Sequence, residues 1–370
     1  MENSRAPKLN FKILGLSFCL VSWCFSSAYG QSDWEKEWEK TLGAAKKEGQ
    51  VVVYISNYEP SLEPFRKEYP EIKLLYVTDR GSELMNRIAA ERRAGKYIPD
   101  VVSAGALNYN VLHKAKALDP IKPMFILPEV KDTSKWWGNR HLYLDPENNY
   151  VFGYVGYPSS PMYYNTQLAN PAELKSYQDL VNPKWKGKIV SFDPTQAVVA
   201  MALQFFYYHP ELGPEFMRRF FVAMEPTIGR DFRQITEWLA KGKFAFCFAC
   251  RDAPRAKQQG LPVDNLTSLK EGVYFTVGGG TISLLNNAPH PNAAKVFINW
   301  FLSRKGQMAL QKLGRPDDPP NSLRIDIPKE DVPRESQLVK GGNYFDVTRP
   351  ESSDAVPVFK LTRELMSKGR

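Results

Sequence analysis

Three short apolar runs near the start of the chain, 51–55, 73–77 and 99–104, are each followed by a segment of helical period. Val51-Val52-Val53-Tyr54-Ile55 has no polar face, which is the pattern of a strand covered on both sides in a parallel sheet. Trp34, Trp38, Leu42 and Ala45 recur at helical spacing before it, behind a capping-box signal at Ser32-Asp33-Trp34-Glu35. Gly49 is placed to close that helix. Helices are expected at 60–68, 81–94 and 107–117 between and after the next strands. Strand and helix in strict alternation give an α/β lobe built on a parallel sheet.

The same logic restarts further on. Strands are expected at 150–157, 188–192 and 244–250, with helices at 195–208, 215–224 and 232–240. A long extended segment at 274–285 is interrupted by Gly278-Gly279-Gly280, read as a hinge or a close backbone approach. Helices follow at 291–303 and 306–313. A proline-rich, charged tail begins at Arg315, with a last helix at 358–367. No internal repeat is visible. A chain of 370 residues exceeds what one core usually holds, so two lobes are expected.

The first thirty residues have a separate character. Arg5, Lys8 and Lys12 precede an apolar run at 13–25, and Ala28 and Gly30 stand at −3 and −1 before Gln31. Basic start, apolar middle and small-residue end make a cleavable secretory signal. The run is about 13 residues long, short of the roughly 20 that cross a bilayer. A periplasmic protein starting near Gln31 is therefore expected. The formal charge of the whole chain is +9; taking away Arg5, Lys8, Lys12 and Glu2 removes +2 and leaves +7. The basic residues are scattered and form no stripe, which argues against nucleic acid and for a small anionic ligand or an anionic surface. Cys247 and Cys250 remain after cleavage. Both fall in the run 244–250, and residues three apart on one strand lie about 10 Å apart, so two buried thiols are expected.

Several segments together resemble the type 2 periplasmic solute-binding proteins of ABC importers, in the branch of the ferric-iron binders. These are Val51-Val52-Val53-Tyr54; Gly81-Ser82-Glu83-Leu84 with Glu91-Arg92-Arg93-Ala94-Gly95-Lys96 and Pro99-Asp100-Val101; Tyr163-Tyr164-Asn165-Thr166; Asn182-Pro183-Lys184-Trp185-Lys186-Gly187-Lys188 with Asp193-Pro194-Thr195; Glu237-Trp238-Leu239-Ala240-Lys241-Gly242; and His290-Pro291-Asn292-Ala293-Ala294 with 297–303. The resemblance implies a two-lobed fold whose lobes are joined by crossover strands and close over a ligand. On that map, 1–30 is the signal, 31–155 with 273–302 is lobe 1, 156–272 is lobe 2, and 303–370 supplies C-terminal helices and the tail. The implied partners are a small-molecule ligand and an ABC permease in the inner membrane, with the chain itself a monomer.

In such sheets the ligand lies against loops at the carboxyl ends of strands. The expected contacts are Ser56, Asn57 and Tyr58 after the first strand, Arg80 and Ser82 at a helix start, and Ser103 and Ala104 after the third strand. Tyr154 and Tyr157 on the crossover strand, Thr195 and Gln196 at a helix start, and Arg251 after the strand ending at Cys250 complete the set. Helix starts and a guanidinium both favour anions. Core packing of Tyr154 and Tyr157, ordinary capping by Ser82 and Thr195, and an ion pair of Arg251 with Asp252 are the plainer alternatives. Iron-binding relatives use an adjacent tyrosine pair where this chain has Cys250-Arg251, and a cation there repels a cation. An anionic organic solute such as a phosphonate, phosphate ester or carboxylate is thus expected, with ferric iron, thiamine, or a sensor or adaptor role as alternatives. His113, His141, His209 and His290 show no metal spacing, and no nucleophile stands in a known motif. No cofactor, metal or catalytic residue is assigned, and an enzyme is not expected.

Overall fold

The computed structural model describes residues 32–315 and 319–368. The leader-like segment and the cleavage point at Gln31 lie outside the described residues. The first helix, Asp33–Glu48, starts as its capping signal requires: the Glu35 carboxylate accepts from the Ser32 amide and hydroxyl, each at 2.8 Å. Gly49 ends it in the left-handed conformation, at φ 74°.

Six strands come from the first part of the chain: β1 (Gln50–Ile55), β2 (Lys73–Thr78), β3 (Val101–Ser103), β4 (Leu118–Asp119), β5 (Leu142–Tyr143) and β6 (Phe152–Ser159). Five follow: β7 (Met162–Asn165), β8 (Ile189–Phe192), β9 (Thr227–Gly229), β10 (Phe246–Phe248) and β11 (Val263–Asn265). Then come the long β12 (Val273–Leu285) and β13 (Tyr344–Asp346). Two sheets result among the described residues. One has the order β2-β1-β3-β12-β6-β5, with β4 and β13 also on β12; the other has the order β11-β7-β10-β8-β9. Strand β1 pairs in parallel with β2 and β3, and β8 in parallel with β10 and β9, as fully apolar strands predict.

Each sheet has its own core. Val51, Val53, Leu84, Val101, Phe297 and Phe301 belong to the first, and Ile189, Val190, Phe206, Phe216, Phe220 and Phe248 to the second. Strands β6 and β12 run antiparallel between them: Phe152 pairs with Ile282 at the first core, and Ser159 with Tyr274 near the second. Their register slips between Thr276 and Gly280, where the glycine run lies. The backbone there is crowded. A Cβ on Gly105 would stand 2.4 Å from the Gly278 carbonyl, and one on Gly280 would stand 2.6 Å from Val155 Cβ. The close-approach reading of these glycines is what the structure shows.

The tail does not simply trail off. The Leu323 amide donates to the Tyr154 carbonyl at 2.8 Å and the Gly156 amide to the Asn321 carbonyl at 3.0 Å, so this stretch lies along β6. Strand β13 then pairs with β12, and helix Ala355–Lys368 packs Val358, Leu361 and Leu365 on the second core. Short strands β4, β5, β7, β9, β11 and β13 carry no strong sequence signal and are additions to the expected order.

The cysteine expectation is overturned. Strand β10 stops at Phe248, Ala249 adopts a positive φ of 55°, and the chain doubles back. The Cα atoms of Cys247 and Cys250 are 5.8 Å apart and the two form a disulfide. The 10 Å separation applied to a continuous strand, and the left-handed residue breaks that premise.

Candidate functional site

A cleft of about 670 Å³ opens where the two sheets face each other across β6 and β12. The loop after β1 contributes Asn57 and Tyr58, the crossing strands contribute Val155, Tyr157, Tyr274 and Gly279, and the second sheet contributes Tyr163 from β7 and Ala249, Cys250 and Arg251 from the turn after β10. Arg315, Pro319, Pro320, Asn321 and Ser336 of the tail line the remaining wall. No aspartate or glutamate is among the described lining residues.

Local backbone chemistry places these groups. Asn57 and Tyr58 are consecutive residues at positive φ, 61° and 65°, turning the chain sharply off the end of β1. The Tyr58 carbonyl accepts from the Ser61 amide at 3.0 Å and hydroxyl at 2.6 Å, which fixes that turn. Its hydroxyl donates to the Gly279 carbonyl at 3.2 Å, so the loop after β1 touches the crossing strand. Ser56 stays outside the lining; its amide donates to the Ser103 carbonyl at 2.7 Å.

Tyr157 is partly exposed on the cleft wall, while Tyr154, three residues earlier, is wholly buried. Its hydroxyl shares a 2.6 Å hydrogen bond with Ser103 Oγ, and its ring packs edge-on against Phe301 at 5.0 Å. Burial pushes its pKa far up. Ser103 and Ala104 are buried too, the Ala104 amide donating to Asn108 Oδ1 at 3.1 Å. These three are neighbours of the cleft floor and not part of its surface. Arg80 and Ser82 lie exposed at the start of helix Gly81–Arg93, away from the cleft lining.

The expected anion turn at Thr195 already holds a carboxylate. Asp193 Oδ1 accepts from the Thr195 amide at 3.0 Å and hydroxyl at 2.7 Å, and Asp193 Oδ2 pairs with Arg230 Nε at 2.9 Å. Burial opposes ionisation of Asp193, but these bonds outweigh it and hold the pKa below the ordinary value. Thr195 and Gln196 stay off the lining, and the segment meets the cleft from Ala197 to Ala202 instead.

Arg251 does reach the cleft. It is exposed there, with no hydrogen bond or ion pair to Asp252 or any other described residue. Tyr163 and Tyr274 were not foreseen. Strand alternation could have found Tyr163, since its neighbour Tyr164 faces the second core. Burial raises the pKa of both phenols, so at neutral pH they stay protonated and can donate hydrogen bonds. Arg315, Asn321 and Ser336 had no signal, because only the fold brings the tail back along β6. The site thus offers fixed cations, neutral phenols and an amide, which recognise anionic and hydroxylated solutes.

The family model described as "bacterial extracellular solute-binding protein" matches residues 61–322. A Haemophilus influenzae protein described only as uncharacterized is 24% identical over 293 residues, covering 74% of this chain and 78% of its own. Among solved structures, the Trichodesmium protein FutA (IdiA), in complex with iron and citrate, superposes with a TM-score of 0.63 at 18% identity. The match covers 86% of this chain and 99% of that one. Ferric iron-binding protein A of Mannheimia haemolytica, in an open conformation, gives 0.60 at 15% identity, covering 86% and 98%. AfuA of Actinobacillus pleuropneumoniae, with exogenous fructose-6-phosphate bound, gives 0.51 at 16% identity, covering 86% and 97%. At these identities the likeness is one of fold, and the fold is that of two-lobed periplasmic binding proteins.

Proposed function

The chain belongs to the bacterial extracellular solute-binding proteins, and from that premise we propose that it captures a small anionic organic solute in the periplasm and delivers it to an ABC permease. The observation that carries the reading is on the cleft wall: Arg251 lines it, exposed and with no hydrogen bond or ion pair to any described residue. A guanidinium in a partly desolvated cleft binds phosphate or carboxylate with paired, charge-assisted hydrogen bonds. Tyr157, Tyr163 and Tyr274 supply phenol donors and ring faces for the rest of the solute. The periplasmic location is part of this proposal. It draws on the leader-like N-terminus and the family, and no helix among the described residues is long and apolar enough to cross a membrane. The protein acts as a monomer that binds one solute and turns none over.

A second reading, ferric iron, is favoured by one observation: Tyr58, Tyr157, Tyr163 and Tyr274 share the cleft, and phenolate oxygen is a hard donor. A thermal-shift screen of the chain from Gln31 separates the readings. Phosphonates, phosphate esters, carboxylates, thiamine and ferric citrate are the probes. A ligand specific for the folded state raises the midpoint by mass action. A shift with an anion that disappears in Arg251→Ala supports the proposal. A shift with iron alone, and a coloured protein, would replace it.

A further inference from the structure

We infer that the Cys247–Cys250 disulfide is a positioning element of the ligand cleft, fastening the turn that presents Arg251; this rests on the reading of Arg251 as a ligand contact. Strand β10 is anchored by pairing on both sides, Cys247 opposite Tyr163 on β7 and Val190 on β8. Beyond Phe248 that support ends. The Ala249 amide donates to the Pro161 carbonyl at 2.8 Å, and Ala249 itself sits at φ 55°, a conformation that a residue with a Cβ rarely adopts. The chain must stay reversed there, because Ala249, Cys250 and Arg251 are three consecutive cleft-lining residues. The bond from Cys250 back to the paired strand at Cys247 does this covalently.

A role in global stability explains the bond less well. Stabilisation by loop closure grows with loop length, and here the separation is only three residues. Both cysteines are already surrounded by the second core, with Phe248 packed among Phe206, Phe220 and Phe221. What the bond changes is the mobility of the next turn. Arg251 has no described side-chain partner of its own to hold it, so its position is set by its backbone. A ligand that must first order this turn gives up affinity for doing so.

The test uses the chain from Gln31, free of ligand, as the disulfide form and as the Cys247→Ala/Cys250→Ala variant. Amide hydrogen exchange is the first measurement. The expected result is faster exchange confined to 249–253 in the variant, with the strands of both sheets unchanged. Unchanged exchange in 249–253, or faster exchange throughout the second sheet, overturns the inference. Should the variant not fold, the wild-type protein treated with a phosphine reductant gives the same comparison. Binding of inorganic phosphate and of fructose 6-phosphate is measured next by calorimetry. Binding weaker by about tenfold in the variant is expected, the loss when a hydrogen bond to a charged group is no longer held in place. Equal affinity in the two forms overturns the inference. Faster exchange at 249–253 in a protein whose wild-type form binds neither probe upholds the positioning role and counts against the anion reading alone.

Discussion

The hydroxyls of Ser103 and Tyr154 share a hydrogen bond of 2.6 Å beneath the cleft floor, joining β3 to the crossing strand β6. Both side chains are buried, and neither lines the cleft. Tyr154→Phe therefore removes a buried bond and leaves Ser103 without that partner. A loss of about 1–2 kcal/mol in urea denaturation is expected, with ligand affinity unchanged. A large loss of affinity would show that the Tyr154 hydroxyl reaches the solute.

Arg251 and Arg80 make a matched pair of probes, since each is an exposed arginine beside a strand end and only Arg251 lines the cleft. Arg251→Ala is expected to weaken binding of an anionic solute by about ten- to a hundredfold. Arg80→Ala should leave it at the wild-type value in moderate salt, where surface charges are screened. Equal effects from the two would mean that the overall field, and not a contact, attracts the solute.

Lys329 gives the pH dependence. Burial pushes its pKa down to about 7, with the nearby Asp326 only partly opposing the shift. Its ammonium nitrogen donates to the Ser322 carbonyl at 2.6 Å and to Gln311 Oε1 at 3.1 Å. The unfolded chain keeps this amine near its ordinary pKa of 10.5. Between these values the unfolded state holds more protons, so stability contributed by this site rises as pH goes from about 7 toward 10.5. Urea midpoints at pH 7 and pH 9.5 should show that increment, and Lys329→Met should abolish it whatever it does to the absolute stability.

The fold was legible because its main elements carry clear patterns: Val51–Ile55 has no polar face and is buried throughout, and the helices at 81–93 and 232–240 follow the helical period in their buried residues. The site was legible only in part. Asn57, Tyr58, Tyr157 and Arg251 sit at strand ends or on the crossing strand, as the rule for such sheets requires. Thr195 lies off the lining, since a helix start looks the same whether its amide faces a ligand or, as here, the chain's own Asp193. Tyr154 lies off the lining because side chains alternate along β6, and Val155 and Tyr157 take the cleft face. Arg315 and Asn321 were invisible, since nothing local says that a proline-rich tail returns to the hinge.

That return has a fastening, which yields the last prediction. Arg324 is fully buried and pairs bidentately with Asp326, Nε to Oδ1 at 2.8 Å and Nη2 to Oδ2 at 2.7 Å. Its other nitrogen donates to the carbonyls of Leu302 at 3.0 Å and Glu129 at 3.3 Å, and its Cζ lies 5.5 Å from the centre of the Trp136 ring. One side chain thus ties the tail to the first core from within. Removing it leaves buried carbonyls without a donor, whereas Asp326 and Glu129 are partly exposed and can regain water. The cost of Arg324→Met should therefore fall near the low end for a broken buried pair, about 3 kcal/mol in urea denaturation. Because Pro319, Pro320 and Asn321 form one wall of the cleft, the same variant should also bind its solute more weakly, although Arg324 does not line the cleft. Full affinity in a destabilised Arg324→Met protein would show that β6, which takes one backbone bond from Leu323 and gives one to Asn321, holds the cleft wall without help from the arginine.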